Sequence, residues 1–385
     1  MKTCFRFSTF ESARTYSVPA LCIVAAFFAA TTELSAETVR SLKPKFTSMM
    51  TIAGCTNEQS IALANFPVPV RISTTKIEGF YYDKCDGADD ISFSDESGNI
   101  LPHEVEVWNT EGESVAWVSV PQVYTNAVFY MNWGHDTKLE TVQSQEVWTV
   151  ATYKGVWHME ESDIVHDSSA ASRAMTVQTS RTHGVVSNAN AKIGTAFFQK
   201  SSAASDGPDV AMKTGDIYMG YTSDCTLTGW ISLKGYTGTN NNPFGPYKKS
   251  NTYYWSIYPG SSWTKTLLRF KTTESTTAVA TFAAKSAGWF HYSIAIHKNA
   301  AFDLYLNGEY VGSHTPGNAG YYKYSGPLSL YLTGYQYGYL DETRIRDSLS
   351  STDWIKAEYD SVNNKDFLIA SKAVKNGGGF IIVVQ

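Results

Sequence analysis

The chain has 385 residues, a length that predicts two or three domains. Aromatic residues make up 14% of it and charged residues only 17%. This balance favours strands and turns over helices and excludes intrinsic disorder. The net charge of -5 argues against nucleic acid as a partner.

The N-terminal residues 1–36 have the pattern of a secretory signal peptide. Lys2, Arg6 and Arg14 provide a basic start, an apolar run covers 18–30, and small residues end the segment at Ala36. The apolar run is shorter than the roughly 20 residues that a membrane-spanning helix needs. We expect cleavage after Ala36 and a secreted, periplasmic or cell-surface protein, with an uncleaved anchor as the alternative.

Cysteine usage fits export. Cys55 and Cys85 lie thirty positions apart, and in an oxidising compartment we expect a disulfide between them. Two buried free thiols are the alternative that the spacing leaves open. Cys225 begins a strand-like run and is interpreted as a small buried hydrophobic residue.

Short strands separated by turn residues run along the chain after residue 50. The clearest signal is a hairpin, in which Phe302–Leu306 and Glu309–Val311 flank Asn307 and Gly308, a pair suited to a turn with two positive φ angles. The other predicted strands are 66–72, 103–108, 114–120, 127–133, 155–159, 225–232, 253–258, 266–271, 289–296, 327–332, 339–345 and 379–384. Ser351 and Asp353 mark the start of one short helix over 352–360.

This spacing predicts an all-β chain made of two β-sandwich domains. The boundary falls near 145–152, which gives domains over 45–147 and 153–385, the second including the C-terminal strand. That strand, 379–384, is apolar, so we expect it to pair within a sheet.

The chain lacks the motifs of common catalytic and metal sites, including nucleotide-binding glycine loops and zinc-ligand spacings. Glu104 and Glu106 are two apart on a predicted strand and share a face, as a retaining glycosidase pair would. They are isolated, however, and we interpret them as a solvated strand face. Asp341 and Glu342 are adjacent, on opposite faces, and cannot form such a pair. We therefore predict no catalytic site.

Two resemblances add to this interpretation. Seven segments resemble, in order, the domain of unknown function 2341 family of bacterial exported proteins, over about 50–137: 65–71, 77–80, 90–95, 101–104, 108–109, 112–118 and 130–134. The resemblance implies an exported β-sandwich without an established activity.

Residues from about 153 to 370 resemble the laminin-G-like, concanavalin A-like jelly-roll superfamily. The segments that carry the resemblance are 155–160, 167–169, 304–308, 338–346 and 351–359. Members often bind carbohydrate, and some hold a structural calcium ion. The resemblance makes Asp341, and then Asp167, the candidate ligands of a calcium ion, which needs several oxygen ligands. The alternative for Asp341 is a carboxylate that accepts backbone hydrogen bonds from a turn. No other cofactor is expected.

The segment 235–264 is rich in aromatic and amide side chains, which suit the apolar faces and hydroxyls of sugars. The candidate ligand-binding residues are Tyr236, Asn241, Tyr247, Tyr254, Trp255 and Trp263. We expect an exported, non-catalytic protein that binds a polysaccharide or another cell-surface component through these loops. The alternatives are a structural or adhesive protein that makes protein–protein contacts and, less favoured, a cryptic glycoside hydrolase.

Overall fold

The computed structural model describes residues 44–136, 144–150, 152–177, 182–187, 191–200, 210–217, 223–236, 245–248, 252–253, 256–259, 265–271, 276–283, 288–298, 301–314, 328–333 and 336–376. These residues all belong to one compact unit that begins at Pro44. The predicted signal peptide, residues 1–36, and the predicted strand 379–384 lie outside the described residues.

The first part of the chain forms strands and one short helix: β1 (Phe46–Ile52), β2 (Leu63–Ile72), β3 (Ser92–Ser94), β4 (His103–Val107), β5 (Ser114–Val123), β6 (Val128–Trp133) and α1 (Glu146–Val150). The middle part continues with β7 (Tyr153–Trp157), β8 (Ile164–Val165), β9 (Met175–Val177), β10 (Thr182–Ser187), β11 (Thr195–Lys200), β12 (Val210–Ile217) and β13 (Cys225–Tyr236).

Short strands then lead to a second helix: β14 (Gly245–Lys248), β15 (Thr252–Tyr253), β16 (Ser256–Pro259), β17 (Lys265–Lys271), β18 (Thr276–Ala283), β19 (Trp289–Ile296), β20 (Phe302–Leu306), β21 (Glu309–His314), β22 (Leu328–Thr333), β23 (Gln336–Arg346) and α2 (Thr352–Asn363). Two further strands follow α2: β24 (Leu368–Ala370) and β25 (Val374–Lys375). The predicted all-β class is confirmed.

Two antiparallel sheets organise the first part. One has the strand order β24-β1-β6-β3, with β25 also paired to β1, and the other has the order β2-β5-β4. Alternate residues of β1, such as Met50 and Ile52, are buried and share a core cluster with Val68 and Val70 of β2. This core places the two sheets face to face, as in a sandwich.

Larger antiparallel sheets organise the second part of the chain, from β7 to β23. An eight-stranded sheet has the order β10-β11-β23-β13-β19-β20-β21, with β7 also paired to β23. A six-stranded sheet has the order β15-β14-β22-β12-β9-β8, and a three-stranded sheet has the order β16-β17-β18. The predicted domain limits of 45–147 and 153–385 stay a prediction, although β24 and β25, within the second range, pair with β1.

The two most specific local predictions are confirmed. In the hairpin, β20 pairs with β21, and the turn residues Asn307 and Gly308 have φ angles of 52° and 80°. Helix α2 begins after Ser351, whose Oγ accepts a hydrogen bond of 3.1 Å from the backbone N–H of Trp354. The helix continues to Asn363, three residues past the predicted end, because Val362 still has a core to pack against.

The predicted disulfide between Cys55 and Cys85 is wrong, since both thiols are free. They lie near opposite ends of β1, which spans roughly 20 Å. The backbone carbonyl of Cys55 accepts a hydrogen bond from Thr125, just before β6, whereas Lys84 lies against Gly134, just after β6. A disulfide needs Cα atoms within about 7 Å of each other. Cys225 is buried at the start of β13, as expected.

The hairpin geometry yields a testable prediction. Gly308→Ala places a Cβ on a residue with a φ of 80° and about 3.2 Å from the side chain of Tyr359, so we expect a loss of about 1 kcal/mol or more in the free energy of unfolding. Gly312→Ala, on the same hairpin, adds its Cβ in open space and is the matched control. Equal losses in both variants, measured by denaturant unfolding, would contradict this account of the turn.

Candidate functional site

The described residues bring a cluster of charged side chains together between β4 of the first part and β23 of the second. Glu104 and Glu106 belong to it, with side chains only 17% and 1% exposed. Their interpretation as a solvated strand face is therefore wrong. They do share a face of β4, but the second part of the chain covers that face.

The sheet β2-β5-β4 is buried on both sides, which explains the error. Val118 and Ala116 of β5 belong to the core shared with β1 and β6. Trp117, between them on the strand, must point to the other face. There its indole Nε1 donates to Glu106, and its ring stacks on the ring of His158, which follows β7.

His158 lies at the centre of the cluster with its side chain 2% exposed. Its Nδ1 is 2.8 Å from Oε1 of Glu342 and 3.9 Å from Oε2 of Glu106. Its Nε2 is 3.4 Å from Oε2 of Glu104. Three carboxylates from two different strands therefore surround one imidazole.

A bulge in β23 places Glu342. The three steps of β23 from Asp341 to Arg344 face only two steps of β13, and Glu342 has a φ of 50°. Bulges reorient side chains in this way. As expected for neighbours, Asp341 and Glu342 have different partners, and both are buried.

Arg344 supplies the second positive charge. Its Nη2 donates a hydrogen bond to Oε2 of Glu342. Its guanidinium lies over the rings of Trp117 and Trp148, with centroid distances of 4.1 and 4.8 Å. This stacking holds a cation over aromatic faces away from water, where the attraction is strongest.

Indole and hydroxyl groups donate hydrogen bonds to the two carboxylates of β4. Trp117 Nε1 donates to Oε2 of Glu106 at 2.8 Å, and Trp148 Nε1 donates to Oε2 of Glu104. Ser168 Oγ donates to the other oxygen of Glu104 at 2.7 Å. Buried ionised groups need such partners, and this network provides them.

The network sets the charge states of its members. Burial alone would lower the pKa of His158, but the charge of Glu342, together with Glu104, raises that pKa well above its ordinary value. Burial alone would raise the pKa of Glu342, but His158 and Arg344 hold it below its ordinary value. The pKa of Glu104 is likewise lowered, against the effect of burial, by His158.

Glu106 behaves differently. Burial and the nearby charge of Glu342 raise its pKa to about 8, so it is protonated at neutral pH. Glu104 and Glu342 then balance His158 and Arg344, and the buried cluster carries no net charge. The packing is tight, because a Cβ on Gly194 would lie 1.9 Å from Oε1 of Glu106.

Glu106, His158 and Glu342 could in principle hold a cation. Among the described residues they form a group of potential ligands whose atoms lie within 4.8 Å of one another. However, Arg344 donates a hydrogen bond to Glu342, Trp117 donates one to Glu106, and Nδ1 of His158 lies 2.8 Å from Oε1 of Glu342. These contacts pair all three groups within the protein, as in a buried ion-pair network.

The two predicted calcium ligands both accept backbone hydrogen bonds. Asp167 accepts from the N–H groups of Val156 and Ser169 at 2.9 Å and from that of Arg173 at 2.7 Å. Asp341 Oδ2 accepts from the N–H groups of residues 192 and 193 at 2.9 and 3.1 Å, the arrangement given above as its alternative. Burial and the charge of Glu342 raise the pKa of Asp341 well above its ordinary value. A structural calcium ion stays a prediction.

The predicted ligand-binding residues are only partly described. Tyr236 ends β13, opposite Gln336, and Tyr247 lies in β14, opposite Tyr253. Asn241, Tyr254, Trp255 and Trp263 lie outside the described residues.

An open groove lies on the first sandwich, and its lining residues come from β1, from the edge strands β2 and β24, and from the end of α2. Arg71, Lys76 and Lys365 give it a basic rim. Within the described part of the chain, no helix is long and apolar enough to cross a membrane.

Comparisons with known proteins identify no family. No family model and no curated protein matches the chain. Among solved structures, it is similar to the binding domain of Paraclostridial Mosquitocidal Protein 1 (16% identity, TM-score 0.40, covering 55% of this chain and 53% of that chain). It is also similar to the botulinum neurotoxin serotype D binding domain (12% identity, TM-score 0.41, covering 55% and 52%). The matches thus span about half of each of these chains, and TM-scores below 0.5 support no inference about function.

His158, Arg344, Trp117 and Trp148 were missed as site residues by sequence reasoning. One signal was present. Two predicted strands each carry charges two residues apart, Glu104 with Glu106 and Glu342 with Arg344, so each strand has a charged face. Charges of opposite sign on such faces can pair when the strands meet.

Replacing Arg344 by an uncharged residue tests how much the charged cluster stabilises the fold. Arg344→Met leaves Glu342 buried with His158 alone, and we expect a loss of about 3–5 kcal/mol in the free energy of unfolding. Lys84→Met breaks an exposed ion pair with Asp83 and is the control, with an expected loss under about 1 kcal/mol. Similar small losses in both variants, measured by denaturant titration, would contradict a structural role for the cluster.

The raised pKa of Glu106 predicts a pH dependence. The folded chain keeps a proton that the unfolded chain releases near the ordinary pKa of 4.5, so this stabilisation is present below pH 4.5 and is lost as the pH rises through about 8. In Glu106→Gln this loss disappears. We expect the free energy of unfolding of the unmodified chain to fall relative to that of the variant between pH 5 and pH 8.5, and parallel profiles would contradict the assignment.

Proposed function

We propose that this chain is an exported, non-catalytic binding protein that recognises carbohydrate through the loops of its second sandwich. The non-catalytic role is supported above all by the surroundings of the buried carboxylates. A retaining glycosidase needs one carboxylate free to attack the sugar and another to protonate the leaving group. The cluster carboxylates instead face His158, an indole or one another, and the side chains of Glu104, Glu106 and Glu342 are only 17%, 1% and 2% exposed.

The same cluster supports a structural use for these charges. Positive and negative side chains face each other in it, and two of its hydrogen-bond donors are the indoles of buried tryptophans. Perturbed pKa values occur both in active sites and in structural ion-pair networks. Burial of every member, with side-chain exposures of 17% or less for the carboxylates and His158, favours the structural network.

Carbohydrate recognition is supported by the composition of 235–264, where aromatic and amide side chains alternate with glycine and proline. Ligand sites combine aromatic surface with a few polar groups that fix orientation. Export is supported by the signal-peptide pattern of residues 1–36. A polysaccharide or another cell-surface component is the proposed partner.

Thermal unfolding with a panel of polysaccharides tests this function. A ligand that binds only the folded chain raises the unfolding midpoint, by an amount that grows with concentration. We expect a rise with at least one polysaccharide for residues 37–385 and its loss in Trp255→Ala, Trp263→Ala. Trp289→Ala, outside the segment, is the control that keeps any ligand shift.

The contradicting outcome is a panel with no shift at any concentration, or a shift that survives loss of both tryptophans. Calcium and a chelator are included as separate conditions. If Asp341 serves only as a hydrogen-bond acceptor, neither changes the midpoint, whereas a rise with calcium alone assigns a structural ion.

A further inference from the structure

We propose that the groove between β2 and β24 is a second binding site, which takes an acidic polysaccharide independently of the loops of the second sandwich. The groove is lined by residues from 50–76 and from 361–370, and the sequence suggests no ligand for either segment.

The floor of the groove is apolar and its sides are strand edges. Met50, Leu368 and Ala370 come from β1 and β24, and Pro69 and Val70 come from β2. Since β2 and β24 each end a sheet, the groove opens where the two layers of the sandwich part. The apolar face of a sugar ring can lie against such a surface.

The edge of β2 does not favour a peptide strand as that ligand. Ser119, the partner of Pro67, donates its N–H to Pro102 on the opposite side, so the backbone of Pro67 faces the open edge. Pro69, two residues on, faces the same way. Neither proline has an N–H to donate, so an added strand would lose ladder hydrogen bonds there.

The rim is basic although the chain as a whole is acidic. Arg71 is held in place by Glu113 at 2.7 Å and by the carbonyl of Val362 at 3.3 Å. Lys76 and Lys365 are exposed, and no hydrogen bond or ion pair of their ammonium groups is found within the described residues. Two uncommitted ammonium groups above an apolar floor complement an anionic group carried on a ring.

These features point to a sugar polymer bearing carboxylate or sulfate groups. The apolar floor receives ring faces, and Lys76 and Lys365 pair with the anions. The hydroxyl of Ser361 and the side-chain amide of Asn364 also line the groove. Both groups can form hydrogen bonds with sugar hydroxyls. Its sugar rings distinguish this ligand from an anionic polymer without rings, such as poly-glutamate.

The test is direct binding of residues 37–385 to polygalacturonate, dextran sulfate, neutral dextran and poly-glutamate at low salt. We expect polygalacturonate, dextran sulfate or both to bind, which separates carboxylate from sulfate, and we expect binding to weaken as salt screens the charges. Lys76→Glu with Lys365→Glu should weaken binding by at least about tenfold, since two charge-assisted contacts become repulsive. Lys84→Glu with Lys375→Glu, exposed lysines outside the groove, should change it less than about twofold.

Several results would overturn the proposal. These are no binding of either acidic polysaccharide, equal binding of neutral dextran, equal binding of poly-glutamate, or full binding by the groove variant. Binding that survives in Trp255→Ala, Trp263→Ala supports a site separate from the loops, and binding lost in that variant places the ligand there instead. The thermal midpoint of each variant confirms that it is folded.

Discussion

The two halves of the described fold are held together by a cluster of buried charges that must stay paired. His158 and Arg344 neutralise Glu104 and Glu342, while Glu106 stays protonated among them. Separating the halves would expose charges that the fold has desolvated and matched. One unmatched charge in such a place costs several kcal/mol, so this cluster links the stability of both halves.

The layers of the molecule follow from that constraint. Sheet β2-β5-β4 packs on the β1 sheet with one face and on the second half with the other. The chain crosses this junction more than once, since β24 and β25 return after α2 to pair with β1. The limits of the two halves along the sequence are therefore not their limits in space.

Local features of this fold could be predicted from the sequence. The hairpin at Asn307 and Gly308 and the start of α2 after Ser351 depend on turn and capping chemistry between near neighbours. The period-two pattern correctly placed Glu104 and Glu106 on one face, but periodicity does not reveal what covers a face. Only contacts between distant strands could show that His158 and Glu342 cover it.

The cysteine prediction failed for a similar reason. Spacing along the chain carries no information on which end of β1 each thiol approaches, and Cys55 and Cys85 lie at opposite ends. The bulge at Glu342, which turns that side chain into the cluster, also has no local sequence signature. Its positive φ is sustained by packing and ion pairing from all sides.

A cluster that couples both halves should make the molecule unfold as one unit. Differential scanning calorimetry of residues 37–385 near pH 6 tests this claim most directly. The account predicts a single transition in which the van't Hoff enthalpy equals the calorimetric enthalpy. Two separate transitions, each with the enthalpy of one sandwich, would contradict it.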